Sequence, residues 1–329
     1  MSLSEFERDF IEKSRRINDF CLRFGCFFEL QNIRNFELLR IDTYVNDSKR
    51  TTDSNEDIYK VINAWSTAVG YHPLAQAWFI YRAQETPHFR EISHHLERGL
   101  INYYRGDFFS AVSVLIPAVE GVLRRYLGAS PRVIGKQLVD KLDVTTFPIP
   151  AIHAHLTARH AMFLGFLRTF LRRWFFVDTA APHINDIPSA MTRNYVAHLL
   201  GERSFYDPAD CNRLFAFFNI LLEVITLEDS SLSRFIGMMH PECDERVKRR
   251  THYYSGMILP DSPWRTVRHN DEKFLGENAN YVPSEIPNWV ALMFELEEEL
   301  TRHQKRIREG YLDDPPGPPL PPGYSSPGP

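Results

Sequence analysis

Apolar residues recur along most of this chain at the spacing of an α-helix, and the alternation typical of β-strands is rare. One apolar stripe predicts a first helix over Leu3–Phe24, with Gly25 as its stop. The stripe consists of Phe6, Phe10, Ile17 and Phe20. Arg34–Asn55 is polar and mixed, and two shorter helices are predicted near Glu56–Val69 and Pro73–Arg82. The pattern therefore predicts an all-α protein.

The strongest helical pattern predicts a hairpin of two helices. The first helix ends at the Gly106–Asp107 pair, and the second begins at Phe108 and ends at Gly128. Two amphipathic helices with so short a connection are expected to pack antiparallel. Pro117 lies inside the second helix and predicts a kink there. The pattern is defined by Ile92, Leu96, Leu100, Tyr103, Val112, Leu115, Val119, Val122 and Tyr126.

A helical bundle of four to six helices is predicted over Phe89–Leu227. After the hairpin, its helices are expected at Ile152–Phe176, Ser189–Leu200 and Pro208–Leu227, and a loop over Asp178–Asp186 precedes the second of these. The predicted helix over Ile152–Phe176 also carries three arginines. They are Arg168, Arg172 and Arg173.

The residues after the bundle have a weaker pattern. Glu228–Pro283 is predicted to be irregular, and Ser284–Gly310 is predicted to be a last helix whose second half is charged and solvated. The tail DDPPGPPLPPGYSSPGP is too rich in proline and glycine to fold. The expected organisation is an N-terminal helical region (1–88), the bundle (89–227), a C-terminal extension (228–312) and a disordered tail (313–329).

Composition narrows the class of protein. The formal net charge of −4 argues against a general nucleic-acid coat protein, so an enzyme that cleaves RNA would need a local basic cleft. The 4 cysteines have no CxxC spacing and are expected to be reduced and mostly buried. Neither a signal peptide nor an apolar run that could span a membrane is visible, which predicts a soluble cytoplasmic protein that does not contact a membrane.

The segment RNYVAH combines polar groups that suit phosphate chemistry. Asn194 and His198 are four residues apart and share a helix face, and the long side chain of Arg193 can lean across to them. A helix start with these three groups is a plausible phosphate site. Arginine–histidine pairs at similar spacing occur elsewhere, as in Arg90–His95, so the spacing alone is a weak signal. Here an asparagine follows the arginine directly and a helix stop, Gly201, follows the histidine.

In this context the chain resembles the HEPN superfamily, in its branch of bacterial abortive-infection and toxin-like proteins. RNYVAH matches the family motif of an arginine, a polar residue and a closing histidine. The hairpin GDFFSAVSVLIPAVEGVLRRYLG, with Glu120 inside an apolar helix, is a second match. Gly201, Tyr206 and the helix over Asp210–Ile225 are a third. The resemblance covers roughly Phe89–Leu227 and implies a HEPN-like bundle.

The resemblance implies a homodimeric endoribonuclease that works without a metal ion or other cofactor. His198 would act as the base on the ribose 2′-hydroxyl or as the acid toward the leaving oxygen. Arg193 would bind the scissile phosphate, and Asn194 would orient the histidine or the phosphate. The RNA products would carry 2′,3′-cyclic phosphate and 5′-hydroxyl ends, and DNA would be spared. By analogy the chain would act in antiphage defence and could have a neutralising or regulatory protein partner.

Two non-catalytic alternatives remain open. A HEPN module could bind RNA, a nucleotide or a partner protein as a subunit of a defence complex, or the chain could be a structural helical subunit. Glu120 could pair with Arg193 or cap the motif helix, or it could form a salt bridge with Arg124 or a neighbouring helix.

Each of the remaining candidates could have a functional role or an ordinary structural one. A basic cluster before Tyr253 and Tyr254 could guide RNA or could be a solvated loop. It consists of Arg246, Lys248, Arg249 and Arg250. Three histidines on one predicted helix are expected to be packing or surface residues, because their spacing does not suit a metal site. They are His153, His155 and His160.

Overall fold

The computed structural model describes a set of helices and, among the residues it describes, no strand, which confirms an all-α fold. The described residues are 5–28, 41–42, 45–46, 58–59, 61–63, 66–67, 73–133, 135–144, 154–176, 208–229, 231–232, 244–259 and 262–279. The main helices in chain order are α1 (Glu5–Cys21), α2 (Pro73–Glu85), α3 (Pro87–Arg90), α4 (Ser93–Tyr104), α5 (Phe108–Tyr126), α6 (Gly135–Val144), α7 (Ala154–Phe170), α8 (Pro208–Glu228), α9 (Glu245–Ile258) and α10 (Pro263–Ala279).

The predicted hairpin is present as α4 and α5. Gly106 adopts a positive φ of 82°, a conformation that glycine adopts at little cost, and the chain reverses there. Asp107 then caps α5, because its side chain accepts a hydrogen bond from the Ser110 backbone N–H at 3.0 Å. The apolar positions that predicted the two helices are buried. Pro117 lies inside α5, and whether it kinks that helix stays a prediction.

Two long helices complete the centre of the molecule. α7 continues as a π-helical turn over Leu171–Phe175, and α8 begins and ends within one residue of the predicted bounds. Both bury wide apolar surfaces, because large aromatic side chains from each helix meet between them. For example, the Phe170 and Phe217 ring centroids are 5.9 Å apart.

The main core crosses the boundaries expected at residues 88/89 and 227/228. Buried residues of α2 and of α9 belong to the same apolar cluster as α4, α5, α7 and α8. Whether those boundaries separate folding units stays a prediction. The short helix α6 was not predicted from the sequence; its residues Leu138 and Leu142 are fully buried in this core.

The prediction of irregular structure over Glu228–Pro283 is wrong where α9 and α10 form. Asp244 caps α9 by accepting a hydrogen bond from the Arg246 backbone N–H at 2.8 Å. Val247 and Tyr254 are seven residues apart on the side of α9 that is buried against the core. This stripe is short and lies among many charged residues, so the segment resembled a polar loop.

The N-terminal helix packs on the bundle through a tight turn. α1 is shorter than the predicted Leu3–Phe24 because a 3-10 turn, Leu22–Phe24, replaces its last residues. Gly25 ends it with a φ of 73°, and a Cβ atom there would lie 2.7 Å from the Trp174 ring. Both the positive φ and the short distance to the Trp174 ring therefore require glycine at this position.

Several predictions lie outside the described residues. They concern the loop over Asp178–Asp186 and the helices over Ser189–Leu200 and Ser284–Gly310, the tail, Cys243, and most of Arg34–Asn55. The other cysteines, Cys21, Cys26 and Cys211, are buried thiols that form no disulfide with one another. Within the described part of the chain, no helix has both the length and the apolar character needed to cross a membrane.

Candidate active site

The three candidate catalytic residues lie outside the described part of the chain. Arg193, Asn194 and His198 belong to the segment 177–207, which connects the π-helical turn after α7 to the start of α8. The described residues on either side of this segment are Phe176 and Pro208. The flanking helices are α7 and α8.

The helices α7 and α8 run antiparallel, so the segment 177–207 starts and finishes at one end of the bundle. Near the start of α7, the His160 Nε2 atom is 2.5 Å from the Glu228 carboxylate at the end of α8. Beyond the end of α7, the Trp174 ring lies 5.7 Å from the Arg213 guanidinium near the start of α8. We call the end formed by Trp174, Arg213 and Phe108 the motif end. Phe108, the first residue of α5, belongs to it because its carbonyl lies 3.8 Å from the Cys211 sulfur.

Arg213 is the centre of the motif end and is almost completely buried, with 1% of its side chain exposed. Its guanidinium donates to the Phe24 carbonyl at 2.9 Å and to the Tyr59 hydroxyl at 3.1 Å, and it pairs with Asp210 at 3.2 Å. A buried guanidinium needs such partners, because desolvation without them is costly. Arg213 thereby ties the first turn of α8 to the N-terminal region.

A second chain of hydrogen bonds runs beside Arg213. The Tyr103 hydroxyl donates to the Asn212 side-chain oxygen at 2.5 Å, and the Asn212 amide nitrogen donates to the Thr67 hydroxyl at 3.0 Å. All three residues are buried. The network connects α4, α8 and the helical residues 66–67, which makes the motif end a rigid frame at the point where the segment 177–207 is attached.

Sequence reasoning missed Asn212 and Arg213. It treated the helix over Pro208–Leu227 as an apolar core element, and the polar residues in its first turns received no role. The available signal was Asp210 and Arg213, an opposite-charge pair three residues apart within an otherwise apolar helix.

Glu120 forms the salt bridge that was one of its two expected roles. Its carboxylate lies 2.8 Å from the Arg124 guanidinium, and Arg124 also donates to the Val133 carbonyl at 3.1 Å. Glu120 lies more than three helical turns beyond Phe108, about 18 Å along the axis of α5 from the motif end. Its pairing with Arg193 involves a residue outside the described part and stays a prediction.

The predicted basic cluster lies on a helix, α9, and not in a loop. Arg250 binds the Glu97 carboxylate with two nitrogens, at 2.7 and 3.3 Å, and Lys248 pairs with Glu245 at 2.9 Å. Arg246 pairs with Asp244 at 3.1 Å and stacks over the Tyr81 ring at 4.4 Å from its centroid. These contacts compensate much of the positive charge. They are mostly exposed, however, and exposed ion pairs are weak enough to exchange for a phosphate.

The contact between Arg246 and Asp244 changes the pKa of the aspartate. Hydrogen bonds from Arg246 lower the pKa of Asp244 below its usual value. The lowered pKa favours the carboxylate form of Asp244, which caps α9. The fourth basic residue, Arg249, is exposed on the same helix as His252 and Tyr253.

The end of the bundle opposite the motif end holds a second polar cluster, which sequence reasoning also missed. The Tyr126 hydroxyl donates to the Glu228 carboxylate at 2.7 Å, and His160 contacts the same oxygen. Burial, and secondarily the Glu228 charge, raises the pKa of Tyr126 well above its usual range. We call this the far end. His160 is buried, in agreement with its expected packing role.

One turn away, Glu223 is held between two arginines. It forms an ion pair with Arg82, and its other oxygen lies 3.4 Å from Arg159. Arg82 and Glu223 each expose only 3% of their side chains. No spacing signal could have found this pair, because Arg82 and Glu223 are far apart in sequence and meet only when α2 packs on α8.

No candidate metal centre is present among the described residues, where no group of three or more His, Cys, Asp or Glu side chains converges. Comparison with known proteins leaves the family open: no family model, no curated protein and no solved structure matches this chain.

Proposed function

We propose that this chain is a metal-independent endoribonuclease of the HEPN type, acting as a homodimer in bacterial antiphage defence or a toxin-like system. The observation that carries the proposal is the motif RNYVAH in the sequence between α7 and α8, whose residues Trp174 and Arg213 meet at the motif end. A catalytic segment attached to a rigid frame can be held in a productive geometry, which is a general requirement of such sites.

The proposed reaction is attack of a ribose 2′-oxygen on the adjacent phosphorus. His198 takes the proton from the 2′-hydroxyl, the new P–O bond forms, and the bond to the 5′-oxygen breaks. A histidine in the second copy of the motif, or water, returns a proton to that leaving oxygen. Arg193 stabilises the charge that develops on the phosphate, and Asn194 orients the phosphate or the imidazole.

Cleavage of single-stranded RNA in EDTA tests this proposal. The wild-type chain should cleave RNA and spare DNA of the same sequence, because DNA lacks the attacking hydroxyl. His198→Ala should reduce the cleavage rate by at least about 100-fold, the usual contribution of a general acid–base group. His95→Ala is the matched control: Arg90 and His95 have the same spacing as Arg193 and His198, and His95 is exposed on α4. Equal activity of wild type and His198→Ala would refute the proposal.

A second candidate function is favoured by the charge distribution. The net charge is −4, and Arg246, Lys248 and Arg250 of α9 are each paired with an acidic residue, so these three side chains offer RNA little uncompensated positive charge. A non-catalytic HEPN module that binds a partner protein would need no such charge. It would leave RNA intact while retaining its partner in the His198→Ala variant.

A further inference from the structure

The start of α10 holds a buried hydroxyl group without a hydrogen-bond partner. Ser262 directly precedes this helix, and only 4% of its surface is exposed. Its backbone groups are satisfied, because the N–H donates to the Leu259 carbonyl at 3.1 Å and the carbonyl accepts from the Arg265 N–H at 2.9 Å. The Ser262 Oγ atom is buried and has no hydrogen bond within the described chain. A buried hydroxyl without a partner is costly, which points to a ligand that binds it.

The first turn of α10 supplies a further donor for a negatively charged ligand. The helix has 17 residues, and its dipole favours an anion at this end. Pro263 has no N–H, and the Arg265 N–H is already bonded to the Ser262 carbonyl. The Trp264 N–H has no partner within the helix, because it belongs to the first turn. It and the Ser262 hydroxyl are two residues apart, so both can donate to oxygens of one phosphate.

Arg105 brings positive charge to the same place. Its guanidinium stacks on the Trp264 ring at 3.7 Å from the centroid, and its Nε atom is buried without a hydrogen bond. Within the described part of the chain, Arg105 has no ion pair. The adjacent acidic residue, Asp107, is instead bonded to the Ser110 backbone N–H at 3.0 Å. A guanidinium stacked on a ring keeps its N–H groups in its own plane, where they can donate to a phosphate.

The turn at Gly106 holds the start of α10 against the bundle. The Arg268 guanidinium lies 5.5 Å from the Phe108 ring centroid, and a Cβ atom at Gly106 would collide with that guanidinium. The missing side chain of Gly106 therefore leaves room for Arg268. Because Phe108 belongs to the motif end, the start of α10 lies next to that end of the bundle.

We infer that Ser262, the Trp264 N–H and Arg105 bind a phosphate group of single-stranded RNA, and this choice of ligand rests on the proposed ribonuclease function. Exposed aromatic rings beside positive charge are typical of surfaces that bind single-stranded nucleic acid. Trp264 is 37% exposed, and Phe109, which follows Phe108, is 46% exposed. The Ser262 hydroxyl is covered in the free chain, so binding requires a rearrangement of side chains. Exposed side chains such as Trp264 change rotamer rapidly.

Binding of a fluorescent 2′-O-methyl oligonucleotide to the full chain tests the inference, because this RNA analogue lacks the attacking hydroxyl and stays intact. Ser262→Ala should raise its Kd about tenfold, since a hydrogen bond to a charged group is lost. Ser255→Ala, the same change on α9, is the control and should keep the wild-type Kd. Ser262→Ala should also keep or raise the free energy of unfolding, because the hydroxyl has no partner in the free chain. A loss of stability at an unchanged Kd would make the hydroxyl structural and overturn the inference.

The salt dependence of the same Kd tests the charge of Arg105. Arg105→Met keeps a side chain that can cover the Trp264 ring but removes the charge. The slope of log Kd against log salt should therefore fall by about 0.7, the value for one phosphate contact on a single strand. Arg98→Met, at an exposed arginine of α4, should leave the slope unchanged. Asp261→Asn removes a negative charge next to Ser262 in the sequence and should lower the Kd about twofold. An unchanged slope in Arg105→Met, or weaker binding by Asp261→Asn, would overturn the inference.

Chemical variants of the ligand show which group is bound. A methylphosphonate oligonucleotide of the same sequence has no backbone charge and should bind at least about tenfold more weakly. Equal affinity of the two oligonucleotides would overturn the inference. Inorganic phosphate tests a small-molecule source of the ligand. If Ser262→Ala weakens binding of inorganic phosphate but not of the oligonucleotide, the site holds free phosphate and the assignment to RNA is overturned.

Cleavage of unmodified RNA by the same variants separates this inference from the proposed function. Ser262→Ala and Arg105→Met should raise KM several-fold and leave kcat near the wild-type value, because they remove binding and not chemistry. Cleavage with an unchanged KM would refute the phosphate site and leave the ribonuclease standing. Oligonucleotide binding that depends on Ser262 and Arg105, without cleavage by the wild type, supports the phosphate site and refutes the ribonuclease.

Discussion

The two ends of the bundle use buried charge in different ways. At the motif end, the Arg213 guanidinium binds Asp210, the Phe24 carbonyl and the Tyr59 hydroxyl, so it joins α8 to the N-terminal region of the chain. At the far end, Glu228 binds residues of α5 and α7, which belong to the bundle itself. The motif end therefore binds the bundle to the N-terminal region next to the segment 177–207, whereas the contacts of Glu228 at the far end join helices of the bundle to one another. The two ends can therefore be perturbed separately.

The largest effect on stability is expected from Arg213→Met. The change leaves Asp210 buried without its cation and removes the bonds to Phe24 and Tyr59, so the free energy of unfolding should fall by about 3–5 kcal/mol. Urea denaturation followed by circular dichroism measures this loss. The exposed pair Lys13–Asp9, with a distance of 2.7 Å, provides the control. Lys13→Met should change the free energy of unfolding by less than about 1 kcal/mol.

A milder variant of the same residue tests whether the frame matters for the reaction. Arg213→Lys keeps the charge but cannot reproduce the planar set of hydrogen bonds. At a temperature where it is fully folded, it should lower kcat for RNA cleavage several-fold and leave the cleavage products unchanged. A folded Arg213→Lys protein with wild-type kcat would contradict the role of the motif end as a frame.

The second largest effect is expected at the far end, from Glu223→Gln. Arg82 would lose its anionic partner within the core, while the amide oxygen could still accept one hydrogen bond, so the loss should be about 2–3 kcal/mol. Urea denaturation of the wild type and the variant measures this loss in the free energy of unfolding. Below the unfolding transition, RNA cleavage should stay at the wild-type rate. A fall in activity without a fall in stability would mean that the two ends are not independent.

Glu120→Gln should have a smaller effect. The variant weakens the bridge to Arg124, which exposes 27% of its side chain, so a loss of about 1 kcal/mol is expected. If Glu120 also positions Arg193, kcat should fall by more than the loss of stability explains. A variant with full activity and full stability would remove both roles. Thermal unfolding and single-turnover cleavage measured on one preparation distinguish these results.

The smallest effect is a pH dependence at His88, whose ring packs edge-on against Tyr126 with centroids 5.9 Å apart. Burial lowers the pKa of His88, against the opposing influence of Glu228 and Asp229. The folded state therefore disfavours the protonated ring, and stability is lost as the pH falls through the ordinary histidine pKa of about 6.5. His88→Asn should flatten the slope of stability against pH between about 7 and 5.

Much of the fold follows from periodicity alone. The hairpin of α4 and α5 and the helix α8 have clear apolar stripes, a glycine or aspartate at their ends, and bounds close to those predicted. α9 and α10 were missed because their helical signal is diluted by charge. Only four residues of α9 are buried: Val247, Tyr254, Met257 and Ile258. A helix that docks through so few side chains gives a weak pattern in the sequence.

The candidate site was less predictable. The motif RNYVAH can be read from local spacing, but the frame around it depends on contacts between distant parts of the chain, such as Arg213 with Phe24 and Asn212 with Thr67. Such contacts have no signature in a single sequence, because they arise only when separate helices pack. The same holds for Glu223 and Arg82 at the far end.

The most direct test of the central claim is the chemistry of the RNA ends. Single-stranded RNA should be incubated in EDTA with wild type, His198→Ala and His95→Ala, and the ends of the products mapped. The account predicts 2′,3′-cyclic phosphate and 5′-hydroxyl ends for wild type and His95→Ala, and intact RNA for His198→Ala. Intact RNA with the wild type, or products from His198→Ala that match those of the wild type in amount and end chemistry, would contradict it.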